Sequence, residues 1–255
     1  MSPPTRRPMR GGGSRAAGAV DPGARGLRRR PAAFASDLDR TLIRPGRFPS
    51  PTARSALREA RGIGLRVLLV SGRERTELEP YVRALGSLDG VVAENGAVVE
   101  APLGSPPVVT GRRVAAAVRR RLAAHPELRA QIGQVMASVA RRDGGRLRRL
   151  VAGLPVRLVA NVDRLMVLPV GVDKRRGTRT ALRRLGLAGA GYAAIGDAEN
   201  DGPLLDGAAL SGAVGNAERP LRRAADYVCR QRYERGVLEF VRGPLAEAVH
   251  RVPPP

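Results

Sequence analysis

Three short apolar runs in this chain each stop at oxygen-bearing side chains. AAFASDLD ends in Asp37-Leu38-Asp39, RVLLVSGR in Ser71-Gly72-Arg73, and YAAIGD in Gly196-Asp197, with Asn200 and Asp201 close behind. Each run has the length of a strand, and each is followed past a loop by a segment of helical apolar spacing: TARSALREARGIGL, TELEPYVRALG and DGPLLDGAAL. Alternating strands and helices predict an α/β fold, a Rossmann-like doubly wound core on a mostly parallel sheet. In such sheets ligands bind beyond the carboxyl ends of the strands. The polar clusters fall at those ends.

Two segments break the rhythm. Residues 1–31 mix Gly, Pro, Ser and Arg without hydrophobic periodicity, so they are expected to be a disordered basic tail. Residues 101–169 carry a proline-rich entrance, two Arg-rich helical stretches around VAAAVRRRLAAHPELRAQIGQVMASVA, and strand-like LVAGLPVRLVANV and RLMVLPV. They are expected to form a smaller inserted α+β domain, which leaves 32–100 and 170–250 as a discontinuous core. GVVAENGAVVE carries the Asn-Gly signature of a hairpin.

Composition narrows the function classes. A chain of 255 residues can bury a full core, and no stretch approaches the roughly 18 apolar residues of a membrane span. The basic N-terminus has no apolar segment behind its charges, so it does not read as a secretory signal and a cytoplasmic location is expected. One cysteine, Cys229, excludes an internal disulfide, and with distant His125 and His250 it makes no zinc spacing. The formal charge of +22 raises the question of nucleic acid. Against that, aromatics make up 3% of the chain and Trp is missing, which leaves little for base-stacking platforms. Lys174 is the single lysine, and every other basic side chain is arginine, scattered along the sequence. Nucleic acid is therefore not the expected ligand.

Gathering carboxylates at one sheet edge is costly, since two unit charges about 4 Å apart repel by about 4 kcal/mol at an effective dielectric near 20. A cation must sit among them. Hard oxygens with no histidine or thiol nearby suit Mg²⁺, which also takes substrate phosphate as a ligand. Lys174, opening the helix of DKRRGTRTALRRLGL, supplies a second, compact cation for a carboxylate and a phosphoryl oxygen. Asp37, ionised at neutral pH if unperturbed, needs no base to attack phosphorus. Asp39, two residues on, can protonate the leaving oxygen and then take a proton from water. Ser71, with backbone N–H groups around Gly72, would hold phosphoryl oxygens.

These residues together resemble the haloacid dehalogenase superfamily, in particular its Cof-like branch of phosphatases. DLDRTL resembles the first motif, VSGR the second, the lysine of GVDKRRGTRTALRRLGL the third and GDAENDGPLL the fourth. VAENGA and AVGNAERPLRRAADYV are also similar to that branch, so the likeness runs from Ala32 to about Phe240. The resemblance implies a cap inserted between the second and third motifs, a Mg²⁺-dependent phosphatase, and a small phosphorylated metabolite as substrate, such as a sugar phosphate or phosphoglycolate-like acid. It implies Asp37 as nucleophile, Asp39 as acid/base, and Asp37, Asp39 (through its carbonyl) and Asp197 as metal ligands, with Asp201 supporting the metal. Ser71 and Lys174 would contact phosphate, joined by Gly72, Arg73 and Asn200. The sequence departs from the family at Arg40, where glycine is usual. Arg40 could crowd the site, bind an anionic substrate, or mark a damaged enzyme that survives as an anion or nucleic-acid binder.

Overall fold

A computed structural model describes residues 30–161 and 163–251. The expected disordered tail lies outside the described residues except at its end, where Pro31 already opens the first strand.

The first half of the core follows the alternation in the sequence: β1 (Pro31–Asp37), α1 (Pro51–Gly62), β2 (Arg66–Val70), α2 (Arg75–Leu85) and β3 (Gly90–Ala93). β4 (Val98–Glu100) turns back antiparallel to β3, and β5 (Val108–Val109) pairs antiparallel to β4. The main sheet thus reaches Val109, beyond the boundary expected at residue 100. Proline-rich sequence does not stop two apolar residues, Val108 and Val109, from closing the sheet edge.

The next stretch holds α3 (Arg112–Ala123), β6 (Gln131–Ile132), β7 (Ala137–Ala140), α4 (Gly144–Leu150), β8 (Val156–Asn161) and β9 (Arg164–Pro169). Residues 131–140, read from sequence as helical, form two strands, 131–132 and 137–140, joined by a turn. In β7, Ala137 and Val139 join Leu147, Leu165 and Val167 in a separate cluster beneath α3 and α4, while Val135 and Met136 just before it pack into the main core. The four strands make an antiparallel sheet in the order β6-β7-β9-β8.

The chain then returns through α5 (Lys174–Arg184), β10 (Gly191–Gly196), α6 (Gly202–Asp206), β11 (Leu210–Ala213), α7 (Arg219–Ala224), β12 (Tyr227–Val228), α8 (Tyr233–Phe240) and α9 (Ala246–Arg251). The main sheet has eight strands in the order β12-β11-β10-β1-β2-β3-β4-β5, parallel from β12 to β3. Its central strands read as continuous apolar runs because helices cover both faces: Phe34, Leu68, Leu69, Val91 and Ile195 are fully buried. Strand order reverses direction at β1, whose neighbours are β2 and β10. That reversal opens the crevice at the carboxyl ends of β1, β2 and β10. No helix among the described residues is long and apolar enough to cross a membrane.

Candidate active site

Asp37 is the last residue of β1 and Asp197 the first after β10, and because these strands are adjacent their carboxylates meet. Lys174 arrives from a third direction. Asp173 caps α5, its side chain accepting the Arg176 N–H at 2.7 Å, which fixes Lys174 as the first residue of the helix. The Lys174 ammonium is fully buried and donates to Asp37 Oδ1 at 2.7 Å and to Asp201 Oδ1 at 2.5 Å. Asp201 uses its other oxygen to accept the backbone N–H groups of Asp197 and Ala198 at 2.9 and 3.1 Å. Thr41, which the sequence reading passed over, donates to Asp197 Oδ1 at 3.3 Å.

The charges in this cluster do not balance. Carboxylate oxygens of Asp37, Asp197 and Asp201 all lie within 4.8 Å of one another and all three residues are buried. Burial opposes the charge on Lys174, but Asp201 and Asp37 outweigh it and hold the ammonium above its ordinary range. The surplus is negative and falls on the carboxylates. Burial, then Asp201, pushes Asp37 well up against the pull of Lys174, and burial with Asp201 lifts Asp197 to about 7 against Arg40. Asn200 Oδ1, buried in the same place, receives no hydrogen bond among the described residues, and Asp197 Oδ2 has the Arg40 guanidinium as an ion-pair partner without hydrogen-bond geometry. An all-oxygen, electron-rich, partly unsatisfied cluster fits a hard divalent cation such as Mg²⁺.

The remaining expected residues are placed as follows. Asp39 and Arg73 form a two-pronged pair, Nη2 to Oδ1 at 2.6 Å and Nε to Oδ2 at 2.8 Å, and Arg73 also lies over the Tyr81 ring at 4.7 Å. Arg73 therefore meets the site both through Asp39 and directly, as part of the cavity lining. Ser71 is buried, and its hydroxyl accepts the Arg73 N–H at 3.1 Å. Asn200 donates to Asn95 Oδ1 at 3.3 Å. Arg40 adopts φ 61°, the left-handed conformation that glycine takes without strain, and its Nε sits 3.1 Å from Asp197 Oδ2. Asp37, Asp39, Arg40, Gly72, Asp197 and Asn200 line one cavity of about 200 Å³. Ser71, Lys174 and Asp201 stand behind its wall.

The roof of that cavity comes from the antiparallel sheet and includes Gln131, Met136, Asn161, Arg164 and Met166. Sequence reasoning assigned none of these a role. Nor did it single out Glu94, a fully buried acid whose carboxylate accepts the backbone N–H groups of Gln134, Val135 and Met136 at 2.9, 2.8 and 2.7 Å. Asn95 beside it contacts Met136 and Met166. The Asn-Gly turn after β3 thereby fastens the second sheet over the site.

Residues 34–106 and 160–241 match the family model for haloacid dehalogenase-like hydrolases. A phosphoglycolate phosphatase of Archaeoglobus fulgidus is 31% identical over 216 residues, covering 82% of this chain and 95% of that one. Another phosphoglycolate phosphatase, from Methanospirillum hungatei, is 26% identical over 221 residues, covering 81% and 94%. Among solved structures, a Thermoplasma acidophilum protein superposes with a TM-score of 0.72 at 18% identity, covering 84% of this chain and 99% of its own, a likeness of fold. With four motifs in order, their residues brought to one sheet edge, and relatives of near-equal length, the chain belongs to the haloacid dehalogenase-like hydrolases.

Proposed function

We propose that this haloacid dehalogenase-like phosphatase is a Mg²⁺-dependent phosphomonoesterase that works through an aspartyl-phosphate on Asp37. Its substrate is a small phosphorylated metabolite, a sugar phosphate or a phosphoglycolate-like acid. The observation that carries the reading is the buried contact of the single lysine with Asp37 at the open end of β1.

In the reaction a carboxylate oxygen of Asp37 attacks phosphorus, and the bond from phosphorus to the leaving oxygen breaks. Lys174 holds Asp37 in place and keeps positive charge beside the phosphoryl oxygens. Asp39, whose two oxygens Arg73 holds here, gives a proton to the leaving oxygen once it has left that pair and taken up a proton. A water molecule then attacks the acyl phosphate, its proton passes to Asp39, and phosphate and the free Asp37 carboxylate are restored. Ser71, Gly72 and Asn200 position the phosphoryl group. Asp37, Asp197 and the Asp39 carbonyl, with Asp201 behind them, would hold Mg²⁺, which supplies positive charge against the carboxylates and the phosphate. The second sheet, fastened by Glu94, acts as a cap that limits the size of the substrate and excludes water. The names of the Archaeoglobus and Methanospirillum relatives favour the acid among the substrate alternatives.

One observation keeps a second reading open. Arg40 lies against Asp197, a position that would weaken cation binding and leave an anion-binding relic. Release of phosphate from a panel of phosphomonoesters, with and without Mg²⁺, separates the two. The expected result is Mg²⁺-dependent turnover that falls by about a thousandfold or more in Asp37→Asn. Turnover retained in Asp37→Asn would overturn the mechanism, and a folded protein silent across the panel would favour the relic.

A further inference from the structure

The cavity over Asp37 carries three arginines, and they differ in what they bind. Arg40 lies on Asp197 and Arg73 on Asp39, so each of those cations is already matched by a carboxylate of the site. Arg164 enters the same cavity from the roof, at the start of β9. The hydrogen bonds of its side chain among the described residues go to Ser138 on the neighbouring strand: Nε and Nη2 to Oγ at 3.2 and 2.9 Å, and Nη2 to the carbonyl oxygen at 2.7 Å. Ser138 is itself buried, so the guanidinium is held in one direction by a rigid neighbour. Neutral oxygens fix its orientation without neutralising its charge. A cation fixed this way keeps its charge for a ligand.

The surroundings limit which ligand that is. A cavity of about 200 Å³ lies below the roughly 300–1,000 Å³ of pockets for drug-sized molecules, so the group beyond the phosphate is only a few atoms long. Glu77 and Asp163 also line the cavity, and their negative charge disfavours a doubly charged second phosphate near Arg164. A carboxylate carries one negative charge and can accept from Nη1, the guanidinium nitrogen that Ser138 leaves without a hydrogen bond. We propose that Arg164 is a specificity-determining residue that pairs with a carboxylate on the non-reacting end of the substrate, so that short phosphorylated carboxylic acids are preferred over neutral phosphate esters of the same size. This rests on the phosphatase reading of the floor of the cavity, and it assigns a role to the roof.

The test compares 2-phosphoglycolate with ethyl phosphate, an ester of similar shape that lacks the carboxylate, in the full-length protein with Mg²⁺. The measured quantity is the ratio of kcat/KM for the two compounds. Wild type should favour the acid, and Arg164→Gln should lower the ratio by about 10- to 100-fold, chiefly through KM for the acid. Arg164→Lys, which keeps the charge but not the planar group anchored on Ser138, should recover part of it. Equal losses on both compounds in Arg164→Gln would mean a merely structural role and overturn the proposal. So would a wild type that hydrolyses ethyl phosphate as well as the acid, although the phosphatase reading would then stand. A folded wild type that hydrolyses neither compound would overturn the proposal for Arg164, and release of phosphate from the wider panel of phosphomonoesters would then decide the phosphatase reading by itself.

Discussion

Arg40 concentrates the conflict between backbone and charge at this site. A side chain in the left-handed region costs about 1–2 kcal/mol, and Arg40 holds φ 61° while its guanidinium lies on a buried Asp197. The contact helps when no other cation is near, because Asp197 otherwise lacks a partner for Oδ2. It competes once a divalent cation arrives. Arg40→Gly should therefore tighten Mg²⁺ binding by about tenfold, equivalent to about 1.4 kcal/mol, which a calorimetric Mg²⁺ titration reads directly. Weaker or unchanged binding would show that Arg40 does not oppose the metal. At this scale the sequence was legible where a residue was exceptional. Lys174 stood out as the single lysine, and Arg40 as a side chain in a glycine position. Arg73 did not reveal its partner, because the pair with Asp39 joins residues on two different strand ends. Glu94 was hidden for another reason: its partners are backbone N–H groups, which no side-chain pattern announces.

The element that sets the position of Lys174 is the start of α5, and it is placed by two glycines. Gly96 takes φ 102° in the turn after β3, and a Cβ there would collide with the Asp173 carbonyl oxygen. Gly177, one turn into α5, would bring a Cβ to 2.5 Å from both Gly96 Cα and Val92 Cγ1. The turn and the helix touch backbone to backbone. Gly177→Ala must push α5 away from β3, and Lys174 moves with it. Overpacking of this kind costs about 1–3 kcal/mol, so the variant should melt at lower temperature and lose turnover beyond what its stability loss explains. Thermal denaturation alongside kcat at a temperature where both proteins are folded would check this, and undiminished kcat would contradict it. The strands and helices of the core were legible because their apolar periodicity is set by burial on a parallel sheet. The segment 131–140 was not. Its strands are two and four residues long, too short for a period of two to separate from a helical one.

Across the whole molecule the formal charge of +22 says less about the site than its sign suggests. Arginine is spread over many exposed positions, while the buried centre of the molecule carries an excess of negative charge. That inner excess has a measurable effect on stability. A carboxylate whose pKa is higher folded than unfolded binds more protons in the native state, so stability declines as pH rises between the two values. Asp197, at about 7 against an ordinary 3.8, declines across that window, and Asp37, raised well above its ordinary value, declines with it. Below about pH 4 neither group contributes a difference. The metal-free protein should accordingly be less stable at about pH 7.5 than at about pH 5 so far as these two groups decide it. A divalent cation reverses the penalty only where the carboxylates are ionised. At 100 times its Kd a ligand adds about 2.7 kcal/mol, which for a chain of this length is a rise in Tm of about 5–10 °C. Saturating Mg²⁺ should give that rise near pH 7.5 and less than half of it near pH 5, with Ca²⁺ and Mn²⁺ run beside it to compare oxygen-seeking cations. An equal rise at both values would place the bound ion away from Asp37 and Asp197. The absence of any rise would mean that Lys174 and Arg40 already satisfy the cluster, and that the charge imbalance read from its geometry is met within the chain itself.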